Sequence, residues 1–276
     1  MTAGSSTMNN LCHASLLSFA LIIASGSVAI RSLAATEVTV DKSTLFLAHF
    51  DTNLDADIAR GSAERVRGHG ALTRNHGGKV GEGLICRNGM VTNPIGISGP
   101  FWPLAFPLDG NLDLKEGTLE FWYKPSLSKK VDADNTQSLY YLFDIPTSLK
   151  DSIQRICRFA LVLRECFKKE TGTATQIFHC FFRENQEIQT VVAWKADEWH
   201  HIAVTWNRDQ GVLFLDGKRI EARPTPCGLY GGDRALFLGD FYVGGILCLP
   251  DTIAADGIID ELRISKTVRY SESFIP

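Results

Sequence analysis

Four oxygen-bearing side chains, Asp51, Asn53, Asp55 and Asp57, alternate through FDTNLDAD at residues 50–57. Hard cations such as calcium take oxygen ligands, so this cluster could hold one. It is not an EF-hand loop, because Ala56 stands where that loop needs glycine and Ser62 where it needs a bidentate glutamate. The competing reading is a set of solvated turn acids. Trp199-His200-His201 offers imidazoles that could titrate or ligate a metal. On a strand, however, consecutive side chains leave opposite faces, so His200 and His201 do not converge on one ion and a role within the sheet follows. The sequence contains no G-x-S-x-G, no phosphate loop and no H-E-x-x-H. Gly68-His69-Gly70 and Gly77-Gly78 read as turns.

A second chemistry is recognition by stacking, in which aromatic faces cover the apolar side of a sugar and polar groups read its hydroxyls. Trp102, Tyr140, Tyr230 and Tyr242 lie outside the evident core runs, with Asp144, Asp233, Arg234 and Asp240 as possible polar partners. Trp122, Trp194, Trp199 and Trp206 belong to the core. Core packing is the competing reading for the first four as well.

The elements that must position these groups are strands. Apolar or alternating runs occur at residues 45–50, 83–91, 117–124, 138–145, 156–164, 175–183, 189–194, 199–206, 211–215, 218–222, 235–242 and 257–264. In WHHIAVTW, His200, Ile202, Val204 and Trp206 share one face while Trp199, His201, Ala203 and Thr205 share the other. Both sets are largely apolar, which places this strand in the sheet interior. Asp216-Gly217 suits a two-residue type I′ hairpin turn, whose central residues both need positive φ. Many short strands without helical periodicity predict an antiparallel sandwich or jelly roll. Residues 125–137, 223–234 and 244–256 read as surface loops.

The N-terminal residues differ from the rest. Residues 14–30 form an uncharged apolar run followed by Ser32-Leu33-Ala34-Ala35, the pattern of a secretory signal peptide. No Lys or Arg precedes the run, so an uncleaved membrane anchor is the alternative, and only then would the protein meet a membrane. The expected organisation is a leader over 1–35 and one domain over 36–276, secreted or held at the cell surface or in a periplasm. Beyond the leader six cysteines remain, Cys86, Cys157, Cys166, Cys180, Cys227 and Cys248, an even number that suggests disulfides of undetermined pairing, against the alternative of buried thiols. The spacing gives no zinc motif. A net charge of -3 supplies no field for polyanions, which argues against nucleic acid as a partner.

Seven segments resemble, in order, the laminin-G-like jelly roll of the concanavalin-A-like lectin and glucanase superfamily. They are LFLAHFD (45–51), GGKVGEGLIC (77–86), EGTLEFWYKP (116–125), DEWHHIAVTWN (197–207), GVLFLDGKRI (211–220), LFLGD (236–240) and GIIDELRISKTVRY (257–270). The resemblance implies two curved antiparallel sheets packed face to face, with a ligand groove on the concave sheet or at the loop edge. It further implies a structural calcium held by a carboxylate on the last strand, matching Asp260, together with oxygens near the first strand, here Asp51 and Asn53. Glucanases that resemble such modules carry E-x-D-x-E or E-x-D-x-x-E on one strand; neither pattern occurs here, and Glu116 and Glu120 read as scaffold. The expected function is non-catalytic binding of an extracellular glycan or protein. A structural or adhesive protein-interaction domain is the alternative, followed by a diverged glycan-active hydrolase.

Overall fold

The computed structural model describes residues 38–68, 75–86, 90–92, 98–100, 103–127, 137–149, 155–168, 173–183, 186–225, 228–229, 235–237, 239–247 and 252–276. The leader, Trp102 and Tyr230 lie outside these residues. Among the described residues twenty strands occur, and no helix is long and apolar enough to cross a membrane. In chain order the strands are β1 (Thr44–Ala48), β2 (Ile58–Ala59), β3 (Asn75–His76), β4 (Glu82–Cys86), β5 (Met90–Thr92), β6 (Ser98–Pro100), β7 (Leu104–Pro107), β8 (Gly117–Pro125), β9 (Gln137–Leu149) and β10 (Arg155–Lys168). They continue as β11 (Thr173–Arg183), β12 (Gln186–Val192), β13 (His200–Trp206), β14 (Gln210–Leu215), β15 (Lys218–Pro224), β16 (Ala235–Phe237), β17 (Asp240–Val243), β18 (Gly245–Leu247), β19 (Thr252–Ala254) and β20 (Gly257–Ser265).

Two antiparallel sheets carry the fold. A nine-stranded sheet runs β15-β14-β13-β8-β20-β1-β2, with β4 also on β20 and β3 on β4. A seven-stranded sheet runs β12-β11-β10-β9-β17-β7, with β16 also on β9. As the alternation predicts, β13 lies inside its sheet between β14 and β8. Asp216 and Gly217 take φ of 51° and 74° at the β14–β15 turn, the positive pair that a type I′ hairpin requires.

Between the sheets lies one aromatic core. Phe46 of β1 meets Phe106 of β7 and Phe241 of β17 edge to face at 4.9 and 5.3 Å, and Phe159 of β10 meets Trp206 of β13 at 5.9 Å. These five rings are all fully buried. Each contributes about 1.5–3 kcal/mol of apolar transfer free energy, so the clamp between the sheets is mainly hydrophobic.

The outer face of the nine-stranded sheet carries a second, smaller cluster, Ala203, Val212 and Phe214, packed against Tyr270 and Phe274 of the C-terminal segment. Tyr270 and Phe274 stack at 3.6 Å, and the Phe274 amide donates to the Gly217 carbonyl at 2.8 Å. The chain's own end thus seals part of that face.

Several expectations are corrected. Residues 244–256 are not a plain loop, because β18 and β19 pair there and Ala254 and Ala255 are buried. Trp206 and Trp194 are core, yet Trp122 and Trp199 are only half-buried, with the Lys79 and Lys124 ammonium groups over their rings at 4.0 and 5.0 Å. Cys86, Cys166 and Cys180 are free thiols, so the expected disulfides do not involve them. The side chains of Cys157, Cys227 and Cys248 fall outside the description.

Candidate functional site

The three longest strands, β9, β10 and β11, lie side by side, and their register lays the outward side chains of the seven-stranded sheet in rows. One row runs Tyr141, Val162, His179 and Gln189 across β9 to β12. On one side of it lie Leu139, Arg164, Ile177 and Val191. On the other lie Ala105, Tyr242, Asp144, Ala160, Phe181 and Glu187, extending the face to β7 and β17. Directly paired residues have Cβ atoms roughly 5 Å apart, so neighbours in these rows can touch one ligand.

The rows mix aromatic, guanidinium, imidazole and carboxylate groups. His179, 6% exposed, lies parallel to Phe181, and its Nδ1 is hydrogen-bonded to Glu187 Oε1. A carboxylate only accepts, so Nδ1 donates to Glu187. The His179 Nε2 is buried without a hydrogen-bond partner, as is the Nε of Arg164. Both nitrogens have almost no surface of their own, so the groups of this face open to a ligand are the exposed parts of Tyr141, Arg164 and Gln189. Asp240 sits at the start of β17, where partial burial pushes its carboxyl up against the pull of Arg67. Arg67 is bridged to Ala105 of β7.

Of the expected ligand residues, the structure brings Asp240 and Tyr242 together on this face, on one strand. Tyr242 is 3% exposed rather than open. Tyr140 is corrected outright: it is fully buried in the core, its hydroxyl 3.4 Å from Glu165 Oε2. Trp102 and Tyr230 lie outside the described residues. Tyr141, Arg164, His179 and Arg67 escaped the sequence reading.

A second polar cluster centres on Glu120 of β8, 2% exposed. Arg263 donates to its Oε1 through Nε at 2.7 Å and stands at 2.6 Å through Nη2. Tyr270 donates to Oε2 at 2.7 Å, and His201 Nε2 lies 3.5 Å from the same oxygen. Burial alone would raise this carboxyl; His201, Arg263 and Tyr270 outweigh it and hold it below the ordinary glutamate range. Closed under Tyr270 and Phe274, the cluster locks the C-terminal segment to the sheet.

The acids expected to hold calcium are separately engaged. Asp260 of β20 is fully buried; its Oδ2 accepts the Lys79 and Val80 amides at 2.6 and 3.0 Å, and its Oδ1 accepts the Glu261 amide at 2.8 Å. Asp51 Oδ1 accepts the Glu82 amide at 2.7 Å, and Asn53 Oδ1 closes a local turn with the Asp55 amide at 2.7 Å. Gly81, at φ 60°, lets that turn approach, since a Cβ there would come within 2.1 Å of Asp51 Oδ1. Burial, with Glu261 adding to it, pushes the Asp260 carboxyl up to about 7 despite its backbone donors.

No curated protein sequence matches this chain. The Laminin_G_3 model, described as Concanavalin A-like lectin/glucanases superfamily, matches residues 104–273. The chain belongs to the concanavalin A-like lectin/glucanase superfamily. Among solved structures it is similar to the Trypanosoma rangeli sialidase, with 12% identity and TM-score 0.52, over 84% of this chain and 32% of that one. It is also similar to domain 4 of the extracellular arabinanase of Geobacillus stearothermophilus, solved with arabinotriose (15% identity, TM-score 0.47, 82% and 94% covered). Mouse laminin alpha1 domains LG4-5 follow at 11% identity and TM-score 0.37, with 60% and 39% covered. The sialidase likeness speaks to the fold, and this chain spans about a third of that enzyme's length.

For a concanavalin A-like domain, the calcium question turns on what faces the carboxylates. Hydrogen-bond donors meet both oxygens of Asp260, two at Oδ2 and one at Oδ1. Among the described residues no group of three or more His, Cys, Asp or Glu side chains is arranged around a metal position. Asp51 and Asp260 tie residues 79–82 to β20 and to the end of β1 through backbone amides.

Proposed function

We propose that this chain is a non-catalytic binding domain that works outside the cytoplasm and recognises carbohydrate or glycoprotein through the outer face of its seven-stranded sheet. The observation that carries the reading is the register of β9 and β10, which sets Tyr141 and Arg164, both partly exposed, on one outward face. Sugar hydroxyls both donate and accept, so they suit a guanidinium N–H, while the Tyr141 ring supplies apolar cover. The opposite outer face supports the choice, because part of it is filled by Tyr270 and Phe274. Glu120, the most elaborately bonded acid, is committed to Arg263 and Tyr270 rather than poised as a general acid. The apolar run at residues 14–30 supports export.

A glycan array probed with the wild type and with Tyr141→Ala tests this reading. Binding to at least one oligosaccharide, weakened about tenfold in the variant, supports it; that loss corresponds to roughly 1.4 kcal/mol. Shortened oligosaccharides in the mass spectrum after incubation would make the protein an enzyme. No binding to any glycan, with capture of an unglycosylated protein, would make it a protein-interaction domain.

A further inference from the structure

The sealed part of the nine-stranded sheet's outer face ends at His201, whose ring meets Phe274 edge to face at 5.7 Å and Trp122 at 5.0 Å. Beyond it the face stays partly open. Trp122 and Lys124 point outward from β8 two residues apart, and Trp199 immediately precedes β13 on the same face. Each ring carries an ammonium group. Lys79 Nζ stands 4.0 Å from the Trp122 ring centre, and Lys124 Nζ 5.0 Å from that of Trp199. All four residues are half-buried, so each keeps surface of its own.

Both lysines are held, yet neither has a counter-charge. Lys124 Nζ donates to the Gly77 carbonyl at 3.2 Å, and the Lys79 backbone amide donates to Asp260 Oδ2 at 2.6 Å. Among the described residues no carboxylate pairs with either ammonium, whereas Arg263 of β20 and Arg269 of the C-terminal segment are paired with Glu120 and Asp41. The nearby Asp260 carboxylate is fully buried and occupied by backbone amides.

An ammonium already placed over an indole gives up little further side-chain freedom when it pairs with an anion. The ring also shields it from water on one side, where an ion pair gains more than at a fully exposed site. The two cations stand over adjacent rows of the face, those of Trp122 and Lys124. Residues i and i+2 of an extended chain share a face about 7 Å apart, so a strand-like segment with carboxylates at alternate positions repeats that spacing.

We propose that this open part of the outer face is a docking surface for an extended acidic segment of a partner protein. Alternate carboxylates of that segment pair with Lys79 and Lys124, and their methylene stems lie against Trp122 and Trp199. Charge complementarity selects the partner, since the two unpaired cations sit together in a chain whose net charge is -3. The surface lies on the sheet opposite the proposed saccharide face and does not depend on it.

The test is fluorescence anisotropy of labelled synthetic peptides, each about eight residues long, titrated with the whole protein at low ionic strength. One alternates Glu with Thr, one Gln with Thr and one Lys with Thr. The Glu peptide should bind at least about tenfold more tightly than the Gln peptide, the combined effect of two ion pairs. The double substitution Lys79→Gln with Lys124→Gln should abolish that preference while the thermal melt stays cooperative. Should that protein not fold, Lys79→Gln and Lys124→Gln made singly should each reduce the preference by about threefold. Charge reversal, Lys79→Glu with Lys124→Glu, should transfer the preference to the Lys peptide. Equal affinity for the Glu and Gln peptides, or a preference that survives the double glutamine substitution, would overturn the proposal. So would lysine-dependent binding to phosphatidylserine vesicles without binding of the Glu peptide, which would make the face a membrane contact.

Discussion

Replacing Asp260 with asparagine isolates the energetics of a buried carboxylate. Asp260 is fully buried, and desolvation carries its carboxyl from 3.8 to about 7 in the folded protein. Between those values the native state holds a proton that the unfolded chain has released. Its contribution to stability is therefore complete below about pH 4 and is lost as pH rises through 7. At about 1.4 kcal/mol per tenfold change in proton affinity, the full swing is roughly 4 kcal/mol. Asparagine cannot titrate. Its carbonyl oxygen can take the Lys79 and Val80 amides, while its NH2 must face the Glu261 amide, at a cost of about 1–3 kcal/mol. Urea denaturation of both proteins from pH 4 to 8 should show the wild type's advantage shrinking by several kcal/mol, and calcium or EDTA should move neither midpoint. A wild type that gains on the variant as pH rises, or that calcium stabilises, would refute the reasoning, since either marks a carboxylate held ionised by a cation.

Other perturbations probe the rest of the scaffold. Glu120→Gln leaves Arg263, 7% exposed, without its counter-charge, and should cost about 3–5 kcal/mol by urea denaturation. Gly217→Val places a β-branched residue at φ 74° with its Cβ 2.0 Å from the Phe274 carbonyl oxygen, so limited proteolysis should cut the C-terminal segment sooner. Iodoacetamide at pH 8, mapped by mass spectrometry, should label half-buried Cys166 and spare Cys86 and Cys180 in the native protein, because burial pushes both of those thiols up.

What was legible in the sequence follows from what is local. The Asp216-Gly217 turn needs only two residues with positive φ, and the alternation of WHHIAVTW correctly separates Ile202, Val204 and Trp206 from Ala203 and Thr205. The ligand face was less legible because it depends on register. In LYYLFD the pairing of β9 with β10 shifts between Leu161 and Val162, so Leu142 and Phe143 are both in the core and the alternation is broken. That bulge leaves Tyr140 inside and turns Tyr141 outward, the reverse of the choice made from the sequence. Arg164 and His179 lie 15 positions apart and meet only through the β10–β11 ladder. Trp122 and Trp199 mislead in the other direction, since an apolar ring half-covered by a lysine reads in sequence as core.

The central claim is that a saccharide binds the outer face of the seven-stranded sheet. Hydrogen–deuterium exchange of the whole protein, with and without the tightest-binding oligosaccharide of the glycan array, tests it most directly. The account predicts slowed exchange in peptides covering β9, β10 and β11, and none in those covering β8, β13 and β14. Protection on the nine-stranded sheet alone, with β9 to β11 unchanged, would contradict it.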